Sequence, residues 1–246
     1  MTEFANYTKI LLSALLSNPR AQDVIAKKIE ILQSVYDFHN IAPASTLFVG
    51  FNPAILATKG KVSVTAVDKT VLDYLTAQNV QYTYIDYNSL AADRYNKAFD
   101  SVVGFDEFFT FADSDLAQQE AIATICAVTN QVVISTVKDY KNQDFKDKEF
   151  SVPALIRNSG ENKIFLEFHD WNLKDRSSWI TTSYEIDNPA IGTVVHGPFA
   201  RRTMYFKQLA KFSTDAGAVH FLVHKNLMYK SLIKKNYEHV ISIIFE

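Results

Sequence analysis

The chain has 246 residues, of which 48% are apolar and 21% are charged, and this length and composition predict one globular domain over residues 1–246. The formal net charge of −2 provides no overall basic field, which argues against nucleic acid as a general partner. The single cysteine, Cys126, excludes a disulfide within the chain and favours a reducing, cytoplasmic location.

Two helices are predicted at the N-terminus, over residues 3–16 and 19–38, and together they make a helical extension over residues 1–40. Asn18 and Pro19 suit the cap and the first position of the second helix. The apolar stretch of the first helix is short and lacks both a basic start and a small-residue cleavage site. We therefore expect an ordinary helix and no membrane segment.

From residue 46 onward, short apolar runs alternate with helical stretches. The predicted strands are 46–50, 61–68, 80–86, 99–106 and 130–137. The predicted helices between them are 53–58, 70–78, 88–96 and 115–128. This alternation indicates a parallel sheet that is covered by helices on both faces. Ligands of such sheets lie at the carboxyl ends of the strands, so the residues that follow each strand are candidates for a site.

The pattern changes in residues 141–200, which predict a polar inserted segment for substrate or as a cap, containing a β-hairpin. The two strands of this hairpin are the runs KIFLEFHDW and SWITTSYEID, joined by NLKDRS. A helix over 203–215 and two final strands, 218–224 and 239–245, complete the chain. The connection between the final strands is short, which favours an antiparallel pair.

In this order of elements, residues 40–140 and 200–246 resemble the class I S-adenosylmethionine (SAM)-dependent methyltransferases. The resemblance implies an α/β fold, a Rossmann-like three-layer sandwich with a mostly parallel sheet of about seven strands. An antiparallel terminal pair, N-terminal helices and a β-hairpin insertion complete the expected architecture. The resemblance also implies SAM as the cofactor.

The first predicted strand ends in the sequence GFNPA, where the family has a glycine-rich turn against the cofactor. Gly50 keeps the first glycine, whereas Asn52 and Ala54 stand at the other two positions and Phe48 replaces the acidic residue of the strand. The resemblance places Gly50, Phe51 and Asn52 beside the cofactor. An ordinary strand-to-helix turn with Asn52 as the helix cap explains the same residues, and both interpretations stay open.

Acidic residues also follow the second and third predicted strands. Asp68 and Lys69 lie where the family, like dinucleotide-binding proteins, binds the ribose hydroxyls with a carboxylate. The resemblance places Asp86 near the adenine amino group and Tyr87 against the base. The alternative for both carboxylates is a helix cap.

The fourth predicted strand ends in VVGFDEFF, which the resemblance places around the transferred methyl group. Phe105 and Asp106 are expected to contact the cofactor there. Asp106, Glu107 and His196 are candidate catalytic residues, and Asp139 is a further candidate base. The family patterns for methylation of nucleic-acid bases, an Asn/Asp-Pro-Pro-Tyr/Phe run or a Pro-Cys pair, are absent after this strand.

Aromatic and basic residues within and beside the inserted segment are candidates for substrate binding. They are Tyr140, His169, Trp171 and Arg201, because arginine beside aromatic rings binds anionic or planar molecules. A hairpin with packed tryptophans and solvated arginines explains the same pattern. The six histidines have no spacing that predicts a metal site.

The sequence therefore predicts SAM-dependent methyl transfer to a small-molecule acceptor in the cytoplasm, with no strong nucleic-acid signal and no membrane association. A homo-oligomer is left open. One alternative is an inactive methyltransferase-like binding or assembly module, which the altered turn at Gly50 favours. The other is a different nucleotide-dependent enzyme on a Rossmann-like sheet.

Overall fold

The computed structural model of the chain describes most of its residues. The described residues are 2–138, 140, 148–151, 153–158, 161–172, 174, 177–187, 192–233 and 237–246. The candidate base Asp139 lies outside the described residues.

Helices open the chain, lie between strands of its first half and precede its last two strands. They are α1 (Thr2–Leu16), α2 (Ala21–His39), α3 (Lys69–Ala77), α4 (Asp115–Val128) and α5 (Phe206–Asp215). The strands are β1 (Ser45–Val49), β2 (Lys61–Thr65), β3 (Tyr82–Tyr84), β4 (Phe99–Gly104), β5 (Thr129–Val137), β6 (Lys148–Phe150), β7 (Ala154–Asn158), β8 (Glu161–Trp171), β9 (Ser178–Ile186), β10 (Thr193–Arg202), β11 (His220–Lys230) and β12 (Tyr237–Ile244). None of the described helices combines the length and apolar character that a bilayer crossing requires.

The larger sheet has seven strands in the order β11-β12-β5-β4-β1-β2-β3. Strands β1 to β5 pair in parallel, β12 runs antiparallel to β5, and β11 runs antiparallel to β12. The predicted α/β fold, with a mostly parallel sheet and an antiparallel terminal pair, is confirmed.

Consecutive apolar residues fill the central strands, because both of their faces are covered. Leu47, Phe48 and Val49 of β1 are at most 2% exposed, and so are Val102 and Val103 of β4. Because these strands are parallel, their carboxyl ends meet at one edge of the sheet.

Two predicted helices are much shorter than expected. The first, 53–58, is a 3₁₀ helix over Pro53–Ala57, and the second, 88–96, contains only two 3₁₀ turns, Tyr87–Ser89 and Asp93–Tyr95. The second segment buries Leu90 but leaves most of its polar neighbours exposed. Too little apolar surface is present to hold a full helix against the sheet.

Residues 148–202 form a second, antiparallel sheet of five strands, in the order β10-β9-β8-β6 with β7 also paired to β8. Strands β8 and β9 are the predicted hairpin, whereas β6, β7 and β10 were not predicted. Strand β9 buries Thr181, Ser183 and Glu185 while Ile180 is exposed. The same buried face also carries Trp179, so it is mostly polar, which is unusual for a sheet and directs attention to what lies against it.

Candidate functional site

The turn after β1 is packed tightly by α1. Gly50 has φ +80°, and a Cβ built on it would lie 2.4 Å from Cε1 of Phe4. Phe4 is itself 1% exposed. Glycine is required here both by the backbone angle and by the aromatic ring that lies against it.

The two residues after Gly50 have packing roles in the structure. Phe51 is buried, and its ring packs edge-on against Tyr74 of α3 at 6.4 Å. Asn52 accepts a hydrogen bond from the Ala54 N–H at 2.9 Å and so caps the 3₁₀ helix. These contacts are those expected of the alternative, an ordinary strand-to-helix turn, and the cofactor contacts of Phe51 and Asn52 stay predictions.

Asp68 follows β2 and is held by α1 as well as by its own helix. Its carboxylate accepts from the Thr70 N–H at 2.8 Å and lies 3.2 Å from the ammonium of Lys9, while its backbone N–H donates to Thr8 Oγ1. Partial burial alone would raise the pKa of Asp68, but the hydrogen bonds from Thr70 and Lys9 lower it. Lys69 is mostly exposed and pairs with the next turn of α3.

Asp86 and Tyr87 follow β3. Asp86 is exposed and accepts from the Asn88 N–H at 2.8 Å, as a cap. The hydroxyl of Tyr87 is buried and has no hydrogen-bond partner among the described residues, and burial raises its pKa. Tyr87 borders a cavity of about 480 Å³ between α4 and the segments that follow β3 and β4.

Asp106 and Glu107, directly after β4, both adopt left-handed backbone angles, with φ of +56° and +55°. Such angles cost roughly 1–2 kcal/mol for a residue with a side chain, and they concentrate at functional sites. Asp106 accepts hydrogen bonds from Tyr229 and Ser231, at 2.5 and 2.6 Å. Phe105 packs edge-on against Tyr229 at 4.7 Å. Asp106 is thus held by buried hydrogen bonds from the end of β11 and from the residue that follows it.

Glu107 points the other way, toward the second sheet. It accepts a short hydrogen bond from the Tyr140 hydroxyl, and Nη2 of Arg201 lies 3.4 Å from Oε2. Burial, and then the Glu107 carboxylate, raise the pKa of Tyr140 well above its ordinary value, so the hydroxyl stays protonated and donates. Asp106 and Glu107 therefore connect β4 to two different parts of the molecule.

Arg201 is fully buried and makes most of its contacts with the segment after β4. Its Nε and Nη2 donate to Thr110 Oγ1 at 3.0 and 2.7 Å, and its guanidinium lies 4.1 Å from the ring of Phe111. Nη1 has no hydrogen-bond partner among the described residues. A buried cationic donor without an acceptor is costly, so this nitrogen is suited to a bound water or ligand oxygen.

A small enclosed cavity of about 20 Å³ lies between the two sheets, which is about the space that one water molecule needs. Trp171 and Trp179 stack beside it at 4.3 Å. Its lining residues are Glu107, Lys138, Tyr140, Ser151, His169, Trp171, Trp179, Arg201 and Glu238. The structure thus brings the four predicted substrate residues together with Glu107.

His196 lies elsewhere and is not a lining residue of this cavity. Its Nε2 is 3.6 Å from Glu185, whose carboxylate also contacts Lys163 and Ser13. The nearby imidazole of His196, and then hydrogen bonds from Lys163 and Ser13, hold the pKa of Glu185 at about 2 despite burial. The catalytic role of His196 stays a prediction; the register of β10 places this residue opposite Ser183, where it lies beside Glu185.

Several contributors were not found in the sequence. Glu238 directly precedes the last predicted strand, Thr110 lies beyond the fourth predicted strand, and Phe4, Thr8 and Lys9 belong to the first predicted helix. No local pattern marks them, because each meets its partner across a long sequence separation.

No protein-family model matches the chain, and no curated protein matches its sequence. Among solved structures, a SAM-bound amino pentose methyltransferase from Micromonospora echinaspora gives a TM-score of 0.65 at 12% identity, over 87% of this chain and 88% of that chain. DesVI from Streptomyces venezuelae gives 0.65 at 13% identity, over 92% and 94%. A sugar N-methyltransferase from a Streptoalloteichus species gives 0.60 at 10% identity, over 90% and 88%. The chain therefore has the fold of the class I SAM-dependent methyltransferases.

Proposed function

We propose that the protein is a SAM-dependent methyltransferase that acts on a small amine-bearing molecule. The observation that carries the proposal is a row of residues at the carboxyl ends of four neighbouring strands, in the order β4-β1-β2-β3. These residues are Asp106, Gly50, Asp68 and Asp86. Ligands of open α/β sheets bind at this edge, beside the point where the strand order reverses.

The acidic residues of this edge fit the adenosine part of SAM. Carboxylates such as Asp68 and Asp86 accept hydrogen bonds from ribose hydroxyls and from an adenine amino group. The cavity of about 480 Å³ beside Tyr87 has the size of a small-molecule site. The methionine part does not fit while α1 lies in its present position, because Phe4 is packed against Gly50.

For the acceptor, we propose the cavity between the main sheet and the segment 141–200. The paired rings of Trp171 and Trp179 supply an apolar wall, and Glu107 supplies a carboxylate. Arg201 supplies an N–H donor that has no acceptor within the described part of the chain. At about 20 Å³ the enclosed space admits one polar group of an acceptor, and the rest of that molecule requires the cavity to widen.

Glu107 is suited to hold an amine. Tyr140 and Arg201 both direct donors at its carboxylate, and such hydrogen bonds stabilise the ionised form. A carboxylate held in this way orients an amino group and offsets the positive charge that grows on nitrogen during methylation. SAM would supply the methyl group. The name of one similar protein, a sugar N-methyltransferase, supports a nitrogen acceptor, and the name of another, an amino pentose methyltransferase, supports an amine-bearing substrate.

The test combines binding and transfer. We expect SAM and S-adenosylhomocysteine to raise the melting temperature, by an amount that corresponds to about 2.7 kcal/mol when the ligand is at 100 times its Kd. We then expect transfer of a labelled methyl group from SAM to members of a panel of small amines, and not to the matching alcohols.

Glu107→Gln should abolish transfer while SAM still binds, and Glu30→Gln, on an exposed part of α2, is the matched control. Transfer to the alcohols alone would contradict the role given to Glu107. The absence of any SAM binding would contradict the proposed function itself.

One observation favours a second candidate, a methyltransferase-like binding module without a cofactor. In the structure, α1 supplies the groups that meet Gly50 and Asp68. This candidate predicts that neither the natural protein nor a variant without the Phe4 ring binds SAM or S-adenosylhomocysteine. The binding measurement above therefore separates the two candidates.

A further inference from the structure

Helix α1 lies across the strand ends at which the proposed cofactor site would be. The ring of Phe4 contacts Gly50, and it also packs on Phe108 and Phe111 with centroid distances of 6.0 and 4.8 Å. All these rings are buried. The surface on which Gly50 would let a ligand approach the backbone is therefore covered by an aromatic side chain of the same chain.

The next turn of α1 occupies Asp68. Thr8 accepts a hydrogen bond from the Asp68 backbone N–H at 3.2 Å, and the Lys9 ammonium lies 3.2 Å from the Asp68 carboxylate. A ribose hydroxyl and the Lys9 ammonium would compete for this carboxylate. Phe4, Thr8 and Lys9 thus contact the two positions of the sheet edge, Gly50 and Asp68, that the cofactor needs.

The rest of α1 is tied to the second sheet. Glu3 accepts from the Ala200 N–H at 2.7 Å, Tyr7 donates to Glu167 at 2.8 Å, and Ser13 donates to Glu185 at 2.6 Å. These contacts hold α1 against the second sheet. They also mean that a rearrangement of the second sheet would loosen the helix.

We infer that α1 is an internal competitor of SAM, an autoinhibitory helix whose Phe4 and Lys9 occupy Gly50 and Asp68 until the helix moves away. This inference rests on the proposed function. Two states follow: a closed state, which is the present structure, and an open state with α1 displaced that binds the cofactor. The apparent affinity for SAM is then the intrinsic affinity multiplied by the fraction of open molecules.

A competing helix and a helix that closes over bound cofactor predict opposite changes in cofactor affinity when their contacts are removed. Removing the contacts of a competitor raises the affinity, because it increases the fraction of open molecules. Removing the contacts of a closing helix lowers the affinity, because the cofactor loses a partner.

The experiment measures the Kd of S-adenosylhomocysteine by calorimetry for the natural chain, Phe4→Ala and Lys9→Gln. We expect Phe4→Ala to bind at least about tenfold more tightly and Lys9→Gln about two- to fivefold more tightly. Lys9 is partly exposed, so Lys9→Gln still tests the inference if Phe4→Ala fails to fold. Leu16→Ala, at the exposed end of the same helix, is the matched control and should leave the Kd unchanged.

Hydrogen exchange gives a second measurement on the natural chain. Saturating S-adenosylhomocysteine should accelerate amide exchange in residues 2–16 if α1 is displaced, and should slow it if α1 closes over the ligand. Weaker binding by Phe4→Ala and Lys9→Gln, with slower exchange, would overturn the inference and leave the proposed function intact. No binding by any variant would remove the proposed function and the inference together.

Discussion

Replacing Gly50 with alanine tests whether α1 packs against the turn after β1. The added Cβ would lie 2.4 and 2.7 Å from Cε1 and Cζ of Phe4, far inside van der Waals contact. Overpacking of this kind costs about 1–3 kcal/mol. The φ of +80° adds about 1–2 kcal/mol for alanine. We therefore expect Gly50→Ala to lower the free energy of unfolding by about 2–5 kcal/mol.

The steric part of this cost depends on Phe4, whereas the backbone part does not. In a Phe4→Ala chain, which should itself lose about 3–5 kcal/mol, the ring is gone and the new methyl group has space. Gly50→Ala should then cost only about 1–2 kcal/mol. A double-mutant cycle, measured by urea unfolding, should give a coupling energy of about 1–3 kcal/mol.

Gly217 provides the matched control, because it has φ +92° and no non-neighbouring atom of the described residues lies within 4 Å of a Cβ built on it. Gly217→Ala should cost the backbone part alone, by the same amount with and without the Phe4 ring. If Gly50→Ala behaves in this way too, the ring of Phe4 does not contact Gly50 in solution. The description of α1 as the occupant of this edge would then be wrong.

Three further predictions concern the buried charges and the cavity between the sheets. Arg201→Lys keeps the charge but loses the paired donors to Thr110, so the free energy of unfolding should fall by about 2–3 kcal/mol; an unchanged unfolding midpoint in urea would contradict this. Burial lowers the pKa of Lys28 to about 8 from its ordinary value of 10.5. Between pH 8 and 10.5 the unfolded chain therefore binds more protons at Lys28 than the folded chain does, so the free energy of unfolding should rise with pH. Relative to Lys28→Met, the free energy of unfolding of the natural chain should increase by up to about 3 kcal/mol from pH 8 to 10.5. A difference between the two chains that does not change with pH would refute the lowered pKa of Lys28. Trp171 and Trp179 are the only tryptophans, so binding of a methylated amine should change the fluorescence, and no change would place the acceptor elsewhere.

The sequence predicts the main sheet well because each strand carries its own signal. Buried parallel strands are continuous apolar runs, such as the one that contains Leu47 and Phe48, and the turns that follow hold Gly50, Asp68 and Asp86. Once strands alternate with helices, handed crossovers leave few arrangements of the sheet. The positions of these residues at one edge therefore follow from local patterns alone.

The second sheet and the position of α1 over the proposed site depend instead on contacts between residues that are far apart in the sequence. Apart from Trp179 the buried face of β9 is polar, so hydrophobic alternation gives little guide to which side of that sheet is inside. His196 contacts Glu185 rather than Glu107 because of a register that only pairing with β9 defines. The sequence predicts α1 as a helix, but its apolar face does not indicate which surface of the protein it packs against. Its contact with Gly50 joins residues that are far apart in the sequence.

Phe111 links the two halves of the proposed site. Its ring lies 4.8 Å from the ring of Phe4 on one side, and the Arg201 guanidinium lies 4.1 Å from its centre on the other. Tyr7, in the same helix as Phe4, contacts this ring at 5.0 Å and also donates to Glu167 of the second sheet. Since packed interiors transmit displacement rather than absorb it, α1 cannot leave without changing the environment of Arg201. Any ligand that favours one position of Arg201 must therefore alter the balance between the closed and open positions of α1. By linkage, a ligand that displaces α1 must also alter the binding of that first ligand.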